Sequence, residues 1–232
     1  MQPLIVAIDG PSGVGKSTVS RLVARELNIP QIDTGAMYRA IGLAATRAGI
    51  DVKDEERLAA LAADSNIAFV PGEHPRTMLN GEDVTDFIRT PEVSMAASHV
   101  SAVPAVRRLL VRLQQAMGRR NGGVLEGRDI GTKVFPETPH KFFLTARPEV
   151  RAQRRHLELM EKGQPVDFDK VLAETIQRDT QDSTRADSPL TYDDSYTVVD
   201  TSDLTIPDVV TRIVTAVRDK AEGGRQKAEG ES

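Results

Sequence analysis

Apolar residues along this chain fall into two rhythms. Leu4 to Ile8 is an unbroken apolar run ending in Asp9-Gly10, the pattern of a strand covered on both faces within a parallel sheet. From Lys16 to Leu27 the apolar positions Val19, Leu22, Val23 and Leu27 recur at helical spacing, and Asn28 with Pro30 closes the segment. Short strands are predicted again at Gln31 to Asp33, Gly123 to Glu126, Lys141 to Thr145 and Thr197 to Asp200, mostly separated by helical patterns. That order predicts an α/β protein with a mainly parallel sheet flanked by helices. The rhythm breaks between Ile67 and Thr85, where Ile67 to Val70, Thr77 to Leu79 and Glu82 to Thr85 read as extended. Asn80-Gly81 between the last two favours a type I′ turn, so a small antiparallel insert is expected there. Two Arg-rich helical patterns, Pro148 to Lys162 and Asp167 to Arg185, precede the final strand. The stretch 221–232 holds Gly, Glu and Lys without apolar periodicity and is expected to be a disordered tail.

Composition narrows the picture without changing it. A chain of 232 residues suits one principal domain, taken as 1–220, better than two. Hydrophobic residues at 39% and charged residues at 28% are ordinary for a soluble globular protein. A formal charge of −4 supplies no basic field to draw a nucleic-acid polymer or a membrane surface, so any anion site must be local. The absence of Cys excludes disulfides and thiolate metal sites, and His74, His99, His140 and His156 lack metal-ligand spacing. The first apolar run is too short for a signal segment and no run is long enough to span a bilayer. A cytoplasmic location is expected.

The strongest chemical signal is Gly10-Pro11-Ser12-Gly13-Val14-Gly15-Lys16-Ser17, which follows a strand and opens a helix. Glycines let the backbone curl until successive N–H groups face one centre, and the helix N-terminus adds partial positive charge. A nucleoside triphosphate fits such a loop. Lys16 is then placed to neutralise its β- and γ-phosphates and the Ser17 hydroxyl to ligate Mg²⁺.

Three further elements point to a second ligand. Asp33-Thr34-Gly35-Ala36-Met37-Tyr38-Arg39 joins a strand end to a helix start and offers a hydroxyl, an aromatic ring and a guanidinium. Glu126-Gly127-Arg128-Asp129-Ile130-Gly131-Thr132 puts an Arg-Asp pair just past another strand. Arg147, Arg151, Arg154 and Arg155 fall near one helical face, as do Arg178, Asp182 and Arg185. Such sets can be merely solvated surface, but beside a triphosphate loop they suit the charge that phosphoryl transfer spreads over oxygen atoms.

Together GPSGVGKST, DTGAMYR, GRDIGT and RDTQDSTR resemble the bacterial cytidylate kinases, in order from Ile5 to about Ala216. The resemblance implies a P-loop kinase core, a monophosphate-binding region over about 35–105 with its insert at about 67–85, and an Arg-bearing lid over about 147–185. It implies ATP with Mg²⁺ as donor and CMP or dCMP as acceptor, in pyrimidine nucleotide metabolism. Carried over by residue, Gly10 to Thr18 with Lys16 hold ATP, joined by Arg154, and Ser17 holds the metal. Arg39 and Arg128 match residues gripping the acceptor phosphate, and Thr34, Arg107 and Asp129 those facing cytosine, with Tyr38 as an aromatic platform. Ser98, Arg178 and Asp182 match residues near the ribose, and Arg185 closes over the acceptor. The catalytic cations are thus Lys16, Arg128, Arg178 and Arg185. A carboxylate such as Asp129 accepts from the N4 amino group of cytosine and repels the O4 of uracil, and an arginine facing N3 and O2 makes the matching choice. A monomer acting on small molecules is expected. On the residues alone, two alternatives stay open: another P-loop kinase such as guanylate or adenylate kinase, or a nucleotide-dependent switch ATPase.

Overall fold

The structure, a computed structural model, describes residues 3–70, 72, 75–185 and 187–230. His74 and the last two residues of the expected tail lie outside them. In chain order the elements are β1 (Ile5–Asp9), α1 (Lys16–Leu27), β2 (Gln31–Asp33), α2 (Thr34–Arg47), α3 (Glu55–Asp64), β3 (Ile67–Val70), β4 (Arg76–Leu79) and β5 (Glu82–Asp83). There follow α4 (Pro91–Ala102), α5 (Pro104–Asn121), β6 (Gly123–Gly127), β7 (His140–Thr145), α6 (Pro148–Glu161), α7 (Phe168–Thr184), β8 (Thr197–Asp200) and α8 (Ile206–Gly230). The described residues form two compact units, one holding Pro3 with 30–122 and the other 4–29 with those from 123 to 230.

In the P-loop unit, β6, β1, β7 and β8 lie side by side in that order, every pair parallel. Val6, Ile8, Val124, Phe142, Leu144 and Val199 meet Val19 and Val23 of α1 and Val209, Ile213 and Val217 of α8 in one buried cluster. This is the covered strand that the Leu4 to Ile8 run predicts. Because the strands are parallel, β1 and β6 run in step, pairing Ile5 with Gly123 and Asp9 with Gly127. The P-loop and the Arg128 segment therefore start from the same edge of the sheet. Gly10 shows why the P-loop must begin on glycine: a Cβ there would stand 2.1 Å from the Leu144 carbonyl oxygen, at φ 147°.

The other unit is mainly helical. Met37, Ile41 and Leu43 of α2, Leu58 of α3, Val93 and Val100 of α4, and Val106 and Leu110 of α5 share a second buried cluster. The insert is the expected antiparallel sheet, β3-β4-β5. Asn80 and Gly81 take φ of 51° and 86°, the two positive values that a type I′ turn requires.

Two details depart from the sequence reading. Residues 221–230 continue α8 instead of forming an irregular tail. A helix already nucleated by its packed first turns propagates at one hydrogen bond per residue without needing an apolar stripe, which carries it through Gly223 and Gly224 despite their low helix propensity. Past β6 the chain makes a single π-helical turn, Ile130–Val134, in which the N–H groups of Val134 and Phe135 donate to the carbonyls five residues back. Such wide turns recur at functional sites and carry no signature in apolar spacing.

Candidate active site

The P-loop holds its own lysine. Lys16, the first residue of α1, is buried, and its Nζ donates to the Gly10 and Pro11 carbonyls at 2.7 and 2.5 Å. Burial, with the nearby charge of Arg128, pushes its ammonium well below the ordinary lysine range, against the opposing pull of Glu126 and Asp182. An arriving polyphosphate supplies the missing counter-charge. One residue on, the exposed Ser17 hydroxyl donates to Glu126 Oε2 at 2.8 Å, and Glu126 is buried at the end of β6. A hydroxyl and a carboxylate at that distance are hard oxygen donors of the kind Mg²⁺ takes while keeping several waters. The signal for Glu126 in the sequence is an acidic residue near the end of the strand that pairs with the P-loop strand.

The Arg128 segment and α7 meet in a charged knot. Arg128 Nε donates to Asp182 Oδ2 at 2.7 Å, and Arg185 Nη1 lies 3.4 Å from Asp182 Oδ1. Burial alone would raise the Asp182 carboxyl, but the charge of Arg128, aided by Arg185 and Arg178, outweighs it and holds the group below its ordinary 3.8. Arg178 is close enough to act electrostatically on both Lys16 and Asp182. Lys16, Arg128, Arg178 and Arg185 thus gather around Glu126 and Asp182, side chains of the kind that phosphate oxygens attract. Asp182 is 7% exposed, so this part of α7 is no solvated face.

The other Arg-rich set does not act together. Arg147 caps the start of α6 and forms an exposed pair with Asp203, and Arg155 pairs with Glu158 one turn along. Arg151 is buried, donating to Asp179 of α7 and to the Ser12 carbonyl of the P-loop. Arg154 donates to the carbonyl and hydroxyl of Thr201, whose own hydroxyl bonds the Val14 carbonyl. Helical spacing shows which side chains leave one side of a helix and not what they meet. Arg154 reaches the P-loop through Thr201, while Arg151 and Asp179 brace the P-loop against α7, a pairing that helical spacing does not signal.

In the helical unit, Thr34 is buried at the first turn of α2 and Asp33 caps that helix, accepting from the Ala36 N–H at 2.9 Å. The other oxygen of Asp33 takes Arg39 Nη2 at 2.9 Å, so one carboxylate both starts the helix and aims the guanidinium. Arg107 is buried beneath solvent, its Cζ 5.3 Å from the centre of the Tyr38 ring and its Nε bonded to the Ser101 carbonyl. The Ser101 hydroxyl donates in turn to the Ser98 carbonyl at 2.8 Å. Tyr38, Ser98 and Arg107 are therefore linked within this unit. Arg128, Asp129, Arg178, Asp182 and Arg185 sit in the P-loop unit.

Among the described residues no three His, Asp or Glu are grouped to hold a metal by themselves, and no helix is long and apolar enough to cross a membrane. A parallel sheet whose first strand ends in an amide-lined loop, with cations collected on buried acids beside it, places the chain among the P-loop kinases. The family model that matches is that of the cytidylate kinases, over residues 6–219. Cytidylate kinase of Syntrophotalea carbinolica is 50% identical over 218 residues, covering 94% of this chain and 93% of that protein. Cytidylate kinase of Mycobacterium leprae is 48% identical over 222 residues, covering 95% and 98%. The chain belongs to the cytidylate kinase family. A solved structure of an uncharacterized protein from Eubacterium ventriosum shares the fold at a TM-score of 0.51 and 14% identity, covering 94% of this chain and 99% of that one. At that identity the likeness extends to the fold alone.

Proposed function

We propose that this chain transfers the γ-phosphoryl group of ATP to CMP, and to dCMP as a second acceptor. The observation that carries the reading is the gathering of Lys16, Arg128, Arg178 and Arg185 around Glu126 and Asp182. A switch ATPase has no need of so many cations beyond its own triphosphate, whereas two phosphorylated substrates do. The acceptor is a phosphate oxygen already anionic near neutral pH, so no general base is required and positioning with charge neutralisation carries the step. The P-loop amides and Lys16 hold the donor phosphates, while Arg39 and Arg128 hold the acceptor phosphate. In the helical unit Arg107, with Thr34 and Tyr38, is assigned to cytosine and Ser98 to the ribose; in the P-loop unit Asp129 is assigned to cytosine, Arg178 and Asp182 to the ribose, and Arg185 to closing over the acceptor. Arg154 borders the nucleotide of the donor. When bound, Mg²⁺ neutralises charge on the donor phosphates, and Ser17 with Glu126 would hold it. Measuring ADP formation with CMP present and absent tests the reading: turnover that ignores CMP refutes it.

Two outcomes test particular assignments. Arg107→Met removes the charge and keeps the bulk against Tyr38, and kcat/KM for CMP is expected to fall about tenfold or more, with KM for ATP nearly unchanged. An equal loss on both substrates would move Arg107 out of the acceptor pocket. Glu126→Gln keeps a hydrogen-bond acceptor for Ser17 and removes the charge, so the Mg²⁺ concentration for half-maximal rate should rise severalfold. Calorimetric titration of Mg²⁺ into the ATP-bound variant gives the same answer without turnover, and wild-type affinity would reject the assignment.

A further inference from the structure

Asp9, the last residue of β1, is fully buried, and no step of the transfer uses it. One of its oxygens accepts from the Ile130 N–H at 2.9 Å. The other accepts from the Gly131 N–H at 2.9 Å and from the Tyr196 hydroxyl at 2.8 Å. Those two amides open the π-helical turn directly after Arg128 and Asp129. Tyr196 closes the same turn from its side: a Cβ on Gly131 would stand 2.5 Å from the phenol oxygen and 3.0 Å from Lys141 Cδ, so only glycine lets the backbone approach. Asp9 is also the residue from which the chain enters the P-loop at Gly10. One carboxylate therefore ties the loop of the donor to the loop bearing Arg128 and Asp129.

Burial pushes that carboxyl up to about 6 against the bonds from Gly131 and Ile130, and the same carboxylate satisfies three buried donors. We propose that Asp9 and Tyr196 are positioning residues that hold the Arg128-Asp129 loop in register with the P-loop, setting acceptor alignment and base discrimination together. The proposal rests on the reading above, in which Arg128 grips the acceptor phosphate and Asp129 faces cytosine. Geometry of this kind acts steeply, since a displacement of about 1 Å can cost about 100-fold in rate.

The test uses Asp9→Asn and Tyr196→Phe in the full chain, with ADP formation measured for CMP and UMP over a range of ATP, beside melting curves. Asn keeps an acceptor for Ile130 but turns an amino group toward Gly131 and Tyr196. Phe keeps the ring against Gly131 and removes the hydroxyl that bonds Asp9 and Thr132. For Asp9→Asn, kcat/KM for CMP is expected to fall about tenfold or more, with a smaller fall for Tyr196→Phe. In both, the ratio of CMP to UMP use should drop and KM for ATP should stay within about twofold. A merely structural role would lower CMP and UMP use equally, and an unchanged ratio in both variants overturns the proposal. If Asp9→Asn does not fold, the ratio in Tyr196→Phe decides alone. Asp129→Ala separates the proposal from the reading beneath it: an unchanged ratio there sinks the assignment of Asp129. A ratio lost there but kept in Asp9→Asn and Tyr196→Phe sinks the positioning role by itself.

Discussion

Lys16→Ala is expected to lower kcat by at least about 100-fold, with the fold intact. Removing one preorganised contact to charge that develops in the transition state typically costs on the order of 3 kcal/mol or more. The Lys16 ammonium is buried beside Arg128 and donates to the Gly10 and Pro11 carbonyls, and the attraction of Glu126 and Asp182 does not make up for its burial. Deleting it relieves a desolvated, repelled cation, so the melting temperature of the nucleotide-free protein should not fall. A loss of catalysis without a loss of stability marks a group kept for its ligand. Near-normal turnover in a folded variant would remove Lys16 from the phosphate site.

Asp182→Ala should damage both stability and catalysis. Asp182 is the shared partner of Arg128 at 2.7 Å and Arg185 at 3.4 Å, and its removal leaves two largely buried guanidiniums without their anchor. A stability loss of about 2 to 3 kcal/mol is expected, below the full cost of breaking a buried pair because Arg128 keeps some solvent. Were α7 a solvated charged face, the loss would be about 0.5 kcal/mol or less. The folded carboxyl lies below its ordinary 3.8, so its contribution is fully present at neutral pH. It is lost as pH falls through the lowered value, and the advantage of wild type over Asp182→Ala should shrink in acid. In kinetics, Arg128 loses its aim, so kcat/KM should fall for CMP and dCMP alike. If Asp182 also bonds the ribose, the two losses will differ, because dCMP lacks the 2′-hydroxyl. Unchanged kcat/KM for both nucleotides would return this face to a structural role.

What was legible in the sequence is what local chemistry decides. The Leu4 to Ile8 run became β1, Asn28 takes the left-handed cap that ends α1, and Asn80-Gly81 makes its hairpin, because each depends on neighbours within a few residues. The candidate site segments are legible as motifs, since strand ends beside a P-loop share one edge of the sheet. Their partners are not. Asp9 reads as the polar end of a strand, yet it binds amides more than a hundred residues away and a tyrosine farther still. Arg147, Arg151, Arg154 and Arg155 read as one basic face and take four unrelated partners, because a helical period says nothing about what the fold brings against it. Glu126 lies inside the Arg128 motif, but its contact with Ser17 is visible only once β6 sets the two together.

The central claim is that the acceptor is CMP, chosen through hydrogen bonds to the cytosine edge. Initial rates of ADP formation with CMP, UMP, GMP and AMP, under one set of conditions with ATP and Mg²⁺, test it most directly. The account predicts that CMP has the highest kcat/KM, with UMP well below it because Asp129 meets an acceptor where cytosine offers a donor, and GMP and AMP near background. A preference for GMP or AMP, or ATP turnover indifferent to all four, would contradict it.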